Sequence, residues 1–319
     1  MLGTSKRPIT VVGAGFMGTV IATLYARYGY PVRITDVAKS LETYRERAKP
    51  IAASVASESM DVDAILNNVE AKPKLEEAIE GSFFVHEAIN EDLKAKQDLF
   101  ARLDELCAPS VVLATNTSSL KLSEIFLGVR HRDRVLGVHY ISPAHIIKVV
   151  ELIAADFTPS ALIEWGRDFL KTIERIGVAS TDTPGFLVNR IQYALLSEVY
   201  RIVEEGVASR DDVDQMVRLS LGPRLALWGP LLTEDLVVSK KTSSFVWDYL
   251  HDKTRDEKFQ RPAALTDFVE AGKLGATTGE GWYRFEADYD SVILARDRQL
   301  KSLLDWLARN DRVQEFKVS

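Results

Sequence analysis

The sequence predicts an α/β fold, a doubly wound parallel sheet followed by an all-helical second domain, on three observations. In the first half short β-branched runs alternate with longer amphipathic stretches, the first run opens into a glycine-rich turn, and from about residue 161 the strand-like runs give way to helical patterns. At 319 residues the chain is too long for one typical core and suits two domains. The first run, 9–12 (Ile-Thr-Val-Val), leads through Gly13-Ala14-Gly15-Phe16-Met17-Gly18 into an apolar helical segment at 20–28. The runs 32–35, 83–88, 111–114, 135–138 and 149–153 read as further strands, most of them separated by amphipathic segments long enough to cross over. Helical patterns then cover 161–176, 186–205, 210–221 and 300–309. Pro184-Gly185 breaks the chain just before the second of these, which puts the boundary between domains 1–184 and 185–319. No internal repeat, low-complexity tract or long run of like charge interrupts the pattern.

The turn carries the first chemical information. G-x-G-x-x-G directly after a strand and at the start of a helix is a dinucleotide-binding fingerprint of the Rossmann type: Gly13 makes the tight turn, Gly15 lets backbone amides approach a pyrophosphate, and Gly18 lets the helix press on the strand. Phe16 and Met17 complete the cofactor-binding turn. The second strand ends in Asp36, eighteen residues past Gly18, where a carboxylate accepts hydrogen bonds from ribose hydroxyls. Its charge repels a ribose 2′-phosphate, and Val37 and Ala38 offer no arginine to receive one, so NAD is favoured over NADP; Lys39 is the one residue against this. The bland alternative is an ordinary glycine-rich turn with Asp36 solvated.

Composition excludes several classes. The chain is 46% apolar without a stretch approaching the roughly twenty apolar residues a membrane span requires. Residues 1–8 are short, polar and without an apolar region behind them, so a cytoplasmic location is expected. Cys107 is the single cysteine, which rules out intrachain disulfides and cysteine-rich metal sites; no metal is expected. A formal charge of −6 argues against a nucleic-acid partner and leaves small molecules.

Of five histidines, His139 follows Val135-Leu136-Gly137-Val138 and so emerges at the carboxyl edge of a strand, where open α/β sheets bind ligands. Twelve residues on, Glu151 sits inside another apolar run, where a carboxylate is costly without a partner. If the two strands lie side by side, Glu151 fixes one nitrogen of His139 and leaves the other facing substrate as a general base. The alternative is a core histidine satisfying a backbone carbonyl, with Glu151 at an exposed edge.

At this point the residues resemble a known family. Asn116-Thr117-Ser118-Ser119-Leu120, Gly137-Val138-His139-Tyr140-Ile141-Ser142-Pro143, Lys148-Val149-Val150-Glu151 and Asp182-Thr183-Pro184-Gly185-Phe186-Leu187-Val188-Asn189-Arg190 are similar, in order and spacing, to signature segments of the 3-hydroxyacyl-CoA dehydrogenase superfamily. The resemblance covers most of the chain. It implies His139 as the base that takes a hydroxyl proton while hydride passes to NAD, Glu151 as its support, and Ser118 and Asn189 as groups that hold the reacting oxygen. It also implies Glu91, Lys96 and Asn116 at the cofactor. The residues themselves leave Ser118 readable as a cap and Lys96 as a solvated helix residue.

Departures from the pattern bear on the substrate. Ser142 stands where the acyl-CoA enzymes usually have asparagine. The stretch after the second strand is short, and 48–68 carries one cation, Lys49, against Glu58, Asp61 and Asp63, a poor electrostatic match for CoA phosphates; Arg45 and Arg47 just upstream soften this. The second domain, at 192–206 and 221–230, is similar to the lambda-crystallin branch, which includes L-gulonate 3-dehydrogenase and whose members take small free carboxylates. Arg224, in a segment bounded by glycine and proline, is expected to clamp such a carboxylate, or else to be a surface arginine. The expected substrate is a small hydroxylated carboxylate or hydrated aldehyde, L-gulonate-like or a hydroxymethyl- or formyl-pyridine carboxylate, with a short 3-hydroxyacyl-CoA and a non-catalytic NAD-binding protein as alternatives. Aromatics at Phe186, Tyr193 and Tyr200 lead to the expectation of a homodimer through the helical domain.

Overall fold

A computed structural model describes residues 6–56 and 61–310. Glu58, which entered the charge comparison, and the first five residues, which entered the expectation of a cytoplasmic location, lie outside the described residues. The chain divides into two compact units, Met1–Leu196 and Ser197–Ser319.

The first unit is built on eight strands: β1 Ile9–Val12, β2 Val32–Thr35, β3 Val69–Ala71, β4 Phe84–Glu87, β5 Val112–Thr115, β6 Val135–Tyr140, β7 Val149–Ala154 and β8 Ile176–Thr181. They form one sheet in the order β3-β2-β1-β4-β5-β6-β7-β8, with the doubly wound reversal between β1 and β4. Consecutive residues feed opposite faces. Val11, Phe84, Ala114 and Leu136 pack under the helices Phe16–Arg27, Tyr44–Val55 and Ser160–Lys171, while Val12, Val85, Leu113 and Val135 pack under Leu93–Leu106.

Two differences from the sequence expectation have physical causes. β7 runs antiparallel to β6, because the eight-residue connection between Tyr140 and Val149 is too short for the dozen or so residues of a crossover. β8 is not expected from the sequence: the helix expected over 161–176 stops at Lys171, and β8 is an edge strand with Ile176 exposed, so it lacks the buried apolar run that marks most of the other strands.

The helix expected from Phe186 starts at Val188. Phe186 itself takes φ 49° and is buried, so it is a core residue and not part of an exposed aromatic face; Tyr193 and Tyr200 are exposed. The second unit is helical, with Arg210–Met216, Gly222–Val237, Lys240–Thr254, Ala263–Glu270 and Tyr289–Arg309. Arg210–Met216 passes through a π-helical stretch, Val217–Leu221, into Gly222–Val237, so the helix expected to close at 221 continues. At its centre Lys240 is buried against the Asp235 carboxylate, which also accepts from the Tyr283 N–H at 2.9 Å. No helix among the described residues is long and apolar enough to cross a membrane.

Candidate active site

The carboxyl ends of β1, β2, β4, β5 and β6 all belong to the first unit. After β1, Gly13 takes φ 108°, and a Cβ there would meet the Ala88 carbonyl oxygen at 2.4 Å, so both conformation and space demand glycine. A Cβ on Gly18 would fall 1.9 Å from the Gly13 carbonyl oxygen, which is the close helix–strand approach expected of it. Gly15 is the opposite case, with nothing within 4 Å of where its Cβ would be. That open space faces the start of the helix Phe16–Arg27, which has no side-chain cap and no acidic residue in its first turn, so its free N–H groups fit a pyrophosphate. The Asp36 carboxylate accepts from the N–H groups of Ala14 and Val37, both at 2.6 Å, and lines a cavity of about 550 Å³ with Val12, Gly13, Val37 and Ile89. The residues present fit the adenosine half of NAD.

His139 and Glu151 are directly opposed across the β6–β7 pair. His139 Nδ1 lies 2.8 Å from Glu151 Oε2, and both side chains are almost fully buried. Glu151 Oε1 accepts the N–H groups of Leu187 and Val188, at 2.8 and 3.1 Å, where the helix Val188–Glu204 begins. Burial works to raise the Glu151 pKa, but the hydrogen bonds from His139, Leu187 and Val188 outweigh it and hold the carboxyl below its ordinary range. An ionised carboxylate can only accept, so it holds a proton on Nδ1 and leaves Nε2 as the basic nitrogen. His139 lines a cavity of about 380 Å³ shared with Asn116, Ser118, Ser142 and Asn189. The Phe186 ring stands 6.2 Å from the imidazole.

The structure therefore brings His139, Glu151, Ser118, Ser142, Asn116 and Asn189 together, with Phe16 and Met17 on the same cavity wall. Asn189 Nδ2 donates to the Ser118 carbonyl at 2.7 Å, which ties the start of its helix to the loop after β5. Glu91 Oε1 holds that loop from below, accepting the Thr117 hydroxyl at 2.5 Å and the N–H groups of Ser118 and Ser119. Lys96 is buried, 2.6 Å from Glu87 and 3.4 Å from Glu91, and so is not a solvated helix residue. Glu87 in turn accepts the Thr115 hydroxyl and the Ile89 N–H. Arg224 belongs to the second unit, where it is half-buried and donates through Nε to the Ser220 carbonyl at 3.0 Å.

Sequence reasoning passed over His86. It is wholly buried on β4, with Nδ1 2.8 Å from the Tyr25 hydroxyl and Nε2 3.0 Å from the Val138 carbonyl. Burial pushes its pKa down to about 3. The signal available was a histidine inside the apolar run Phe83-Phe84-Val85-His86, which is costly unless partnered.

Comparisons with known proteins identify the family. Residues 8–183 match the family "3-hydroxyacyl-CoA dehydrogenase, NAD binding domain" and residues 185–285 match "3-hydroxyacyl-CoA dehydrogenase, C-terminal domain". The human mitochondrial hydroxyacyl-coenzyme A dehydrogenase is 32% identical over 87% of this chain and 91% of its own length. A human lambda-crystallin homolog is 32% identical over 74% and 76% respectively. Among solved structures, a 3-hydroxyacyl-CoA dehydrogenase from Archaeoglobus fulgidus is similar with a TM-score of 0.81 at 30% identity, covering 95% of this chain and 99% of the other. A 5-formyl-3-hydroxy-2-methylpyridine 4-carboxylic acid 5-dehydrogenase, an NAD+ dependent dismutase, is similar with a TM-score of 0.70 at 27% identity and the same coverage.

Proposed function

This chain belongs to the 3-hydroxyacyl-CoA dehydrogenase family, and from that premise we propose that it oxidises a small hydroxylated carboxylate, or a hydrated aldehyde, that carries no CoA. The family makes it an NAD-dependent oxidoreductase acting on CH–OH groups. The observation that carries the catalytic reading is the His139–Glu151 pair, oriented at one nitrogen and open to the cavity at the other. Nε2 takes the hydroxyl proton, and the imidazolium that forms faces the Glu151 carboxylate. Ser118 and Asn189 orient the reacting oxygen, and Ser142 and Asn116 complete the polar wall. The glycine turn would hold NAD, which would supply the hydride acceptor. Asp36 is the residue that favours NAD over NADP. Glu91 supports the nicotinamide end by holding the 117–119 loop, and Lys96 does so through Glu91.

The preference against CoA is supported by the charges beyond β2. Arg45 donates to Asn67 at 2.8 Å and lies 3.7 Å from Asp63, and Arg47 is turned inward to the carbonyls of Ala14 and Ser40. The two arginines nearest that stretch are thus already engaged, and Lys49 is exposed, followed in sequence by Asp61 and Asp63. Likeness to the pyridine-carboxylate enzyme points the same way. The names of the hydroxyacyl-CoA relatives favour a short 3-hydroxyacyl-CoA as the second reading. Exposed Phe245 and Tyr249, stacked at 6.2 Å, with exposed Trp306, support homodimerisation through the second unit, which light scattering would test.

The test is NADH formation with NAD and a panel of 3-hydroxybutyryl-CoA, L-gulonate, carnitine and hydroxymethyl- and formyl-pyridine carboxylates. Turnover of a free carboxylate with the CoA ester inert is the expected result. Preference for the CoA ester overturns the substrate proposal, and NAD binding without turnover of any member overturns the catalytic one.

A further inference from the structure

β5 ends at Thr115, opposite Gly137, so the residues flanking His139 have outrun the strand beside them. Side chains continue the ladder. The Tyr140 N–H donates to Asn116 Oδ1 at 2.9 Å, and the Val138 carbonyl accepts from His86 Nε2 at 3.0 Å. A carbonyl can only accept, so Nε2 carries the His86 proton and Nδ1 must be the acceptor of the Tyr25 hydroxyl at 2.8 Å. Tyr140 OH donates on to Tyr25 at 3.4 Å. Every group in this chain is buried and has one hydrogen-bond direction, which gives a rigid brace with no freedom to invert.

We propose that His86, locked by Tyr25, is a positioning residue for the catalytic base: it clamps the peptide that precedes His139 and so sets where Nε2 stands in the cavity. The inference rests on the reading of His139 as the base. A geometric error of about 1 Å at a reacting group costs on the order of 10²-fold, so a brace one peptide from the base is worth measuring as rate and not only as stability. His86 makes no contact with the cavity that holds Ser118 and Asn189, which separates its effect from binding.

Three variants test it: His86→Leu removes both hydrogen bonds, His86→Gln offers an amide donor and an acceptor, and Tyr25→Phe removes only the lock. Each is measured for thermal midpoint, for kcat and KM with whichever panel member is turned over, and, without substrate, for the downfield proton resonance of His139 Nδ1–H, identified by its loss in His139→Gln. For His86→Leu the expected result is a roughly tenfold or larger fall in kcat, KM values within about twofold, and a displaced or broadened His139 resonance. His86→Gln should restore most of the rate, and Tyr25→Phe should fall between. A His86→Leu protein that loses thermal stability but keeps kcat and the His139 resonance overturns the proposal and leaves His86 as a core residue. The resonance reports on the brace even if the panel is silent, so failure of the catalytic reading and failure of this inference are told apart.

Discussion

Two buried carboxylates on one sheet, Glu87 at the end of β4 and Glu151 on β7, differ in what they leave unused. Glu87 is wholly enclosed, and its two oxygens are taken by Lys96, Thr115 and the Ile89 N–H. Its cationic partner points inward and has no face to solvent. Glu151 is equally satisfied by His139, Leu187 and Val188, but its partner is an imidazole, whose second nitrogen looks into the cavity. Burial and pairing alone thus do not mark a catalytic carboxylate. What distinguishes the two is a valence left over on the partner, and only histidine among the common cationic side chains can be held by one atom and react at another.

The largest test of that contrast is His139→Ala. It should lower kcat by about 10²–10⁴-fold while the NAD dissociation constant, measured by fluorescence titration, stays within about twofold. Turnover near the parent level would place the chemistry elsewhere. Lys96→Met probes the closed pair. Stranding Glu87 should cost about 3–5 kcal/mol of unfolding free energy in urea titration, with a fall in kcat of about tenfold or less, because Lys96 also steadies Glu91. A large loss of kcat with stability intact would make Lys96 chiefly a cofactor-site residue and erase the contrast.

Glu151→Gln sharpens the comparison with a smaller effect. It keeps the shape and an acceptor for Leu187 and Val188 but removes the charge facing the imidazolium, and kcat should fall about 10–100-fold. The pH dependence of stability gives the sign. The folded Glu151 pKa lies below its ordinary value of 4.5, so its contribution is fully present above that value and is lost as pH falls through the depressed folded pKa. The thermal midpoint of Glu151→Gln relative to the parent should therefore be lowest at neutral pH and converge in acid. A constant difference down to acid pH would mean that the charge contributes nothing to folding.

Much of this site was legible because its parts announce themselves locally. The glycine turn needs only neighbours in sequence, and Asp36 closes a second βα unit. The pairing of His139 with Glu151 was readable only as a possibility, from a histidine at a strand end and a carboxylate inside a nearby apolar run; the antiparallel return over eight residues, which the tertiary structure supplies, puts the two opposite each other. His86 was not legible, because what it does depends on β5 stopping short of β6, and strand ends are set by the packing of neighbours. The alternative considered for His139, a core histidine that satisfies a backbone carbonyl, is the part His86 plays. The resemblance put Lys96 at the cofactor, while the residues around it left it readable as a solvated helix residue; its burial against Glu87 and Glu91 depends on contacts that only the fold supplies.

The sequence by itself determined the doubly wound sheet, the nucleotide turn, the strand-end position of His139 and the helical second unit, since each follows from periodicity or glycine sterics. The tertiary structure alone decided the direction each buried hydrogen bond runs, which cations are engaged and which carboxylate is closed. Those depend on contacts between residues tens of positions apart, where burial turns a modest polar preference into an obligatory pairing.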